Sequence, residues 1–168
     1  MNVFLRALRL LAIVVWVGGL IFFAFVLAPV AFHVLPSTHE AGTVVGATLR
    51  VLTGVGHACG LLFLFATLPV WFRSAPRGRK LLIAEALLIV LMIAATMYVQ
   101  VSIIPAMERD RIAAGGNVDA APRDYPARID FERLHPLSEK VEGLALLLGI
   151  AVVILMAAEP VSHRQVES

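Results

Sequence analysis

The sequence predicts an all-α fold: a four-helix transmembrane bundle with both termini cytoplasmic and long second and third helices. Three observations carry this prediction. Hydrophobic residues make up 60% of the 168-residue chain and charged residues 15%, against about 45–50% and 25% in a soluble domain. Four long runs are free of charge, and basic residues collect on alternate connections between them. So much apolar surface cannot be hidden inside one small soluble domain. The composition also excludes intrinsic disorder, a disulfide scaffold and a nucleic-acid-binding module. The length fits one domain over residues 1–168.

The uncharged runs cover residues 10–32, 51–72, 86–107 and 143–158, which is 23, 22, 22 and 16 residues. A hydrocarbon core of ~30 Å takes ~20 helical residues, so the first three span unaided. The fourth needs the amphipathic lead-in that starts at Phe131. The predicted spans are residues 8–34, 38–72, 80–112 and 131–159. The first is too long for the ~7–15-residue apolar core of a signal peptide and is expected to be retained. Ser37-Thr38-His39-Glu40 matches a capping box behind Pro36 and sets the start of the second helix. Gly115-Gly116-Asn117 stops the third, Asp130 is the expected N-cap of the fourth, and Pro136 is expected to kink or restart it.

Orientation follows from the basic residues. The connection over residues 73–80 holds four basic residues and no acidic one, and Arg6 and Arg9 precede the first span. Residues 107–142 are mixed, with six basic and eight acidic residues. The positive-inside rule then places both termini and the 73–80 connection in the cytoplasm.

Polar side chains in lipid are costly and mark candidate sites. On the second helix Gly46, Arg50, Thr53, His57 and Gly60 share one stripe, and Gly56 with Gly60 forms a spacing that permits close helix approach. On the fourth, His135, Ser138, Glu142, Ala145 and Gly149 do the same. Trp16, Gly19 and His33 share a stripe on the first helix, with Trp16 expected to pack against another helix near Gly18 and Gly19. Thr96 and Gln100 lie one turn apart on the third. In the predicted orientation all four helices bring polar groups to the outward half. The expected ligand pocket comprises Arg50, His57, Gln100, His135, Ser138 and Glu142.

Each feature has two readings. Arg50 and Glu142 form either a pair that fixes helix register or a charged group at an anionic ligand or proton path. His57 and His135 are either interhelical hydrogen-bonding residues or ligands of a metal or haem. Cys59, Met97 and Met107 offer soft ligands suited to copper(I) or are ordinary lipid- and core-facing residues. Glu85 is expected to snorkel or pair near Lys80. The basic connection either orients the chain or meets anionic headgroups. No HxxxH or CxxC spacing, nucleophile–base pair, phosphate loop or dinucleotide fingerprint is visible, so soluble-enzyme chemistry is unsupported.

Four stretches carry a family resemblance: LRLLAIVVWVGGLIFFAFVLAPVAF from Leu8, AGTVVGATLRVL from Ala41, IIPAMERDR from Ile103 and FERLHPLSEKVEGL from Phe131. They resemble the bacterial relatives of eukaryotic transmembrane protein 205, loosely related to copper-resistance protein D and the HemJ-type protoporphyrinogen oxidases. The pattern Phe131, Leu134-His135, Ser138, Glu142-Gly143 is the most specific part, and Pro136 departs from it. The resemblance implies a four-helix bundle in the bacterial inner membrane, drug or metal resistance as an associated role, and copper or haem as cofactors to test. No relative's ligand motif matches, so no ligand set is carried over. Three expectations stand: a bilayer protein binding a small ligand or metal in an outward-facing pocket, a haem-linked redox protein, or a structural subunit for another protein.

Overall fold

The computed structural model describes residues 3–158, and among these there are four long helices and no strand. We label them α1 (Val3–Val34), α2 (Thr38–Phe72), α3 (Pro76–Ala113) and α4 (Pro126–Ala157). All four are long and apolar enough to cross a membrane. Contacts run from α1 to α2, α2 to α3, α3 to α4 and α4 back to α1, which closes an up-and-down bundle. The links at residues 35–37 and 114–125 lie at one end, here the loop end. The link at residues 73–75 and the start of α1 lie at the other, the terminal end.

Local chemistry explains the boundaries. The Ser37 side chain accepts the Glu40 amide at 3.2 Å, so α2 begins at the predicted cap. At 35 residues α2 is ~52 Å long, more than a bilayer core needs. Helices α3 and α4 begin earlier than residues 80 and 131. Pro76 and Pro126 each occupy the first turn, where a fixed φ suits the helix and no amide is missed. Tyr125, not Asp130, is therefore the N-cap of α4. Helix α4 does not restart at Pro136. Packing holds it on both sides of the proline, through Phe131 and Leu134 before it and buried Ser138 after it. The predicted end at residue 159 lies outside the described residues.

Two helices change register where a proline follows. Residues Phe23–Leu27 of α1 and Val99–Ile103 of α3 are π-helical, with the Ala28 amide donating to the Phe23 carbonyl and the Ile104 amide to the Val99 carbonyl. Pro29 and Pro105 come next. Each ring would meet the carbonyl four residues back, and a wider turn accommodates it. Both segments lie in the loop-end half.

The main core comprises Ile13, Trp16 and Val17 of α1, Phe63 of α2, Ile89 and Met92 of α3, and Ala145 and Val152 of α4. A second, smaller cluster of Val99, Ile103 and Met107 packs α3 on α4 at the loop end. Trp16 of α1 packs against another helix, as expected, and the glycines that receive it are Gly56 and Gly60 of α2. A Cβ at Gly56 would come within 2.7 Å of the indole Cδ1, and one at Gly60 within 2.7 Å of Cζ3. The two glycines thus seat an indole from a neighbouring helix. Gly19 serves a smaller version of the same purpose, since a Cβ there would come within 2.6 Å of Leu52 Cδ1.

The long connection between α3 and α4 is ordered by its own polar groups. Gly115 and Gly116 take φ of +75° and +94°, which turns the chain out of α3. Arg128 then donates to the carbonyls of Asp119 and Ala121 at 3.1 and 2.8 Å, and Tyr125 Oη donates to the Ala113 carbonyl at 3.0 Å. Thr38 donates to the Asp119 carboxylate, so the connection also grips the start of α2.

Candidate functional site

Three polar clusters sit at different levels of the bundle. At the terminal end, Arg9 of α1 pairs with Glu85 of α3, and both are fully buried. The guanidinium lies over the Phe63 ring of α2, 4.9 Å from its centroid. Sequence reasoning took Arg9 as an orienting charge and Glu85 as a neighbour of Lys80. The signal was there in kind: Glu85 directly precedes the apolar run over residues 86–107. Which helix would face it was not readable.

Midway, α2 and α3 are joined by two side-chain hydrogen bonds. The Thr96 hydroxyl donates to the Met92 carbonyl at 2.9 Å, so its oxygen accepts from His57 Nε2, also at 2.9 Å. Gln100 Nε2 donates to Thr53 Oγ1 at 3.1 Å, and Thr53 in turn donates to the Leu49 carbonyl at 2.9 Å. Trp16 meets the His57 ring edge-on at 6.5 Å. His57 and Gln100 therefore act between α2 and α3.

Nearer the loop end, a cleft of about 320 Å³ opens between α1, α2 and α4. Phe23, Ala24 and Phe32 of α1 and Leu49 of α2 form its apolar walls, and His135, Ser138 and Glu142 of α4 form its polar one. Phe23 and Ala24 belong to the π-helical segment, so the register change in α1 helps shape the wall. Both carboxyl oxygens of Glu142 are buried and have no hydrogen-bond partner. Ser138 donates to the His135 carbonyl at 2.7 Å and leaves Glu142 unserved. A second cavity of about 280 Å³ adjoins the first, sharing Phe32 and His135 with it. It is more polar, with His39, Arg111, Asp119 and Glu132 in its lining.

The expected pocket residues thus divide. His135, Ser138 and Glu142 line one cleft. His57 lies eight residues beyond the cleft-lining Leu49 on α2, ~12 Å deeper along the axis. Arg50 is exposed and makes no ion pair among the described residues, so an Arg50–Glu142 pair does not form. Its place on the helix explains this. One residue after inward-facing Leu49, it is turned by about 100° away from the cleft.

Copper or haem needs ligands that converge. His57 Nε2 is hydrogen-bonded to Thr96 Oγ1, and exposed His135 stacks on Phe131 at 6.0 Å with Glu139 Oε1 at 3.4 Å from its Nε2. Neither of the two cavities that His135 lines includes His57. Met97 is exposed, Cys59 is half-buried against the main core and Met107 is buried in the loop-end cluster, so the three do not converge. No group of three His, Cys, Asp or Glu side chains among the described residues is placed to hold a metal ion. The described residues do not fit a copper or haem ligand set.

A family model, the domain of unknown function DUF4149, matches residues 11–111. No curated protein and no solved structure matches the chain.

Proposed function

The chain belongs to the DUF4149 family, and on that premise we propose that it is a binding or transport-associated membrane component holding a small ligand in the cleft between α1, α2 and α4. One observation carries this reading: the carboxyl group of Glu142 is buried at the cleft wall with no hydrogen-bond partner for either oxygen. Buried polar atoms are nearly always satisfied, and an orphaned one asks for an explanation. Structural use of Glu142 would supply a donor on a facing helix, as Thr96 and Thr53 have. A ligand supplies it instead. The family match ends before α4, so Glu142 lies beyond the matched residues. The stretch that resembles the transmembrane protein 205 relatives, residues 131–144, contains it.

In this reading the chain sits in a bacterial inner membrane with its termini cytoplasmic, and the cleft opens to the outer side. The basic connection at residues 73–80 supports that orientation. The experiment is recovery of bound small molecules from the full chain, purified in mild detergent and then denatured. Gly143 lines the cleft and has open space where a Cβ would go. A species released by wild type and absent from the folded Gly143→Leu variant is the expected result. Identical profiles from both would overturn the proposal.

A further inference from the structure

We propose that the cleft at Glu142 selects a small monovalent organic cation with an apolar body, such as a substituted ammonium; this rests on the reading of the cleft as a ligand site. The lining contains two carboxylates, Glu139 and Glu142, and no lysine or arginine. His135 lies beside Glu139, with Nε2 at 3.4 Å from its Oε1, which leaves Glu142 as the carboxylate without a basic neighbour in the lining. The protein gives neither oxygen of Glu142 a donor, and an unpaired carboxylate in apolar surroundings is costly. A ligand cation offsets that cost without a further protein group.

The rest of the lining argues against a bare or hydrated metal ion. Most of the wall is apolar, with Leu20, Phe23, Phe32 and Leu49 around the carboxylate. A divalent ion keeps several oxygen, nitrogen or water ligands, and these walls do not provide them. An alkyl or aryl ammonium suits them: its apolar body replaces lipid-like contacts, and Phe23 and Phe32 put two aromatic side chains in the lining. The volume of about 320 Å³ lies at the small end of ligand cavities, which limits the body to roughly one ring or a short chain.

The adjoining loop-end cavity shares Phe32 and His135 with the cleft, and its lining carries both signs of charge, Arg111 with Asp119 and Glu132.

The test compares benzyltrimethylammonium with neopentylbenzene, which has the same shape and no charge. Each is titrated into the full chain in phosphatidylcholine nanodiscs, with empty nanodiscs subtracted. The expected result is saturable binding of the cation, weakened at least tenfold by Glu142→Gln and by Gly143→Leu, and largely kept by Glu142→Asp. The neutral probe should show no dependence on Glu142. Equal binding of both probes, lost in Gly143→Leu and unchanged in Glu142→Gln, would overturn cation selectivity and leave the cleft as a ligand site. Binding unaffected by Gly143→Leu would overturn both. No saturable binding of the cation would overturn the present inference alone. Circular dichroism of each variant separates loss of binding from loss of fold.

Discussion

Arg9 and Glu85, 76 residues apart in sequence, form an ion pair with no exposed surface at the terminal end of the bundle. Phe63 of α2 lies against the guanidinium, so three helices meet at one charge. A buried pair is weak evidence for stability, because desolvation offsets most of its attraction. Its effect is on register: only one rotation and one depth of α1 and α3 bring the two groups together.

Breaking this pair should therefore cost far more than removing it. Glu85→Gln leaves the Arg9 charge poorly compensated and is expected to destabilise the bundle by about 3–5 kcal/mol. The double variant Arg9→Met, Glu85→Leu should recover most of that loss. Reversible unfolding in mixed micelles reads both. A single variant as stable as wild type would refute the assignment.

The seat of Trp16 makes a second prediction. Gly56→Ala places a methyl against the indole, within 2.7 Å of Cδ1 and Cε2, where neither backbone nor ring can easily yield. We expect a loss of about 1–3 kcal/mol, partly relieved by Trp16→Phe. Gly18→Ala is the control, since nothing lies within 4 Å of its Cβ position, and it should be neutral or slightly stabilising. Equal effects at the two glycines would show that close packing is not the reason.

The α2–α3 hydrogen bonds should be modest. Interhelical hydrogen bonds in membranes average ~0.6 kcal/mol. Thr96→Val removes the acceptor of His57 and is expected to cost about that much, with a double-mutant cycle against His57→Phe giving the coupling. If the cycle instead returned several kcal/mol, His57 would be more than a packing contact.

Orientation can be read by labelling. In a Cys59→Ser background, cysteine at Asn117 should react with an impermeant maleimide in intact cells. Cysteine at Ser74 should react only after the membrane is opened. The reverse pattern would invert the bundle and place the Glu142 cleft on the cytoplasmic side.

The number, type and approximate limits of the helices were legible in the chain alone. They depend on uninterrupted apolar length and on local capping, as at Ser37, and both are properties of neighbouring residues. Helices α3 and α4 start before the predicted residues 80 and 131 because Pro76 and Pro126 each open a helix. The register changes before Pro29 and Pro105 had a visible cause in the prolines. Pro136, inside the predicted fourth helix, does not restart it.

Helix rotation is the quantity the sequence did not contain. A stripe such as Gly46, Arg50, Thr53, His57 and Gly60 shares a face only approximately, and its members divide once neighbours are packed. Thr53 and Gly60 turn inward and Arg50 outward. His57 and Glu142 do not share a cavity, because each side chain answers to the helix beside it. His57 faces Thr96 on α3, while Glu142 faces a gap between α1 and α2. Composition and periodicity determined a four-helix membrane bundle with costly polar groups inside it. Tertiary packing alone decided which of those groups are satisfied by a partner and which one is left facing a cleft, since that depends on the rotation of each helix against its neighbours.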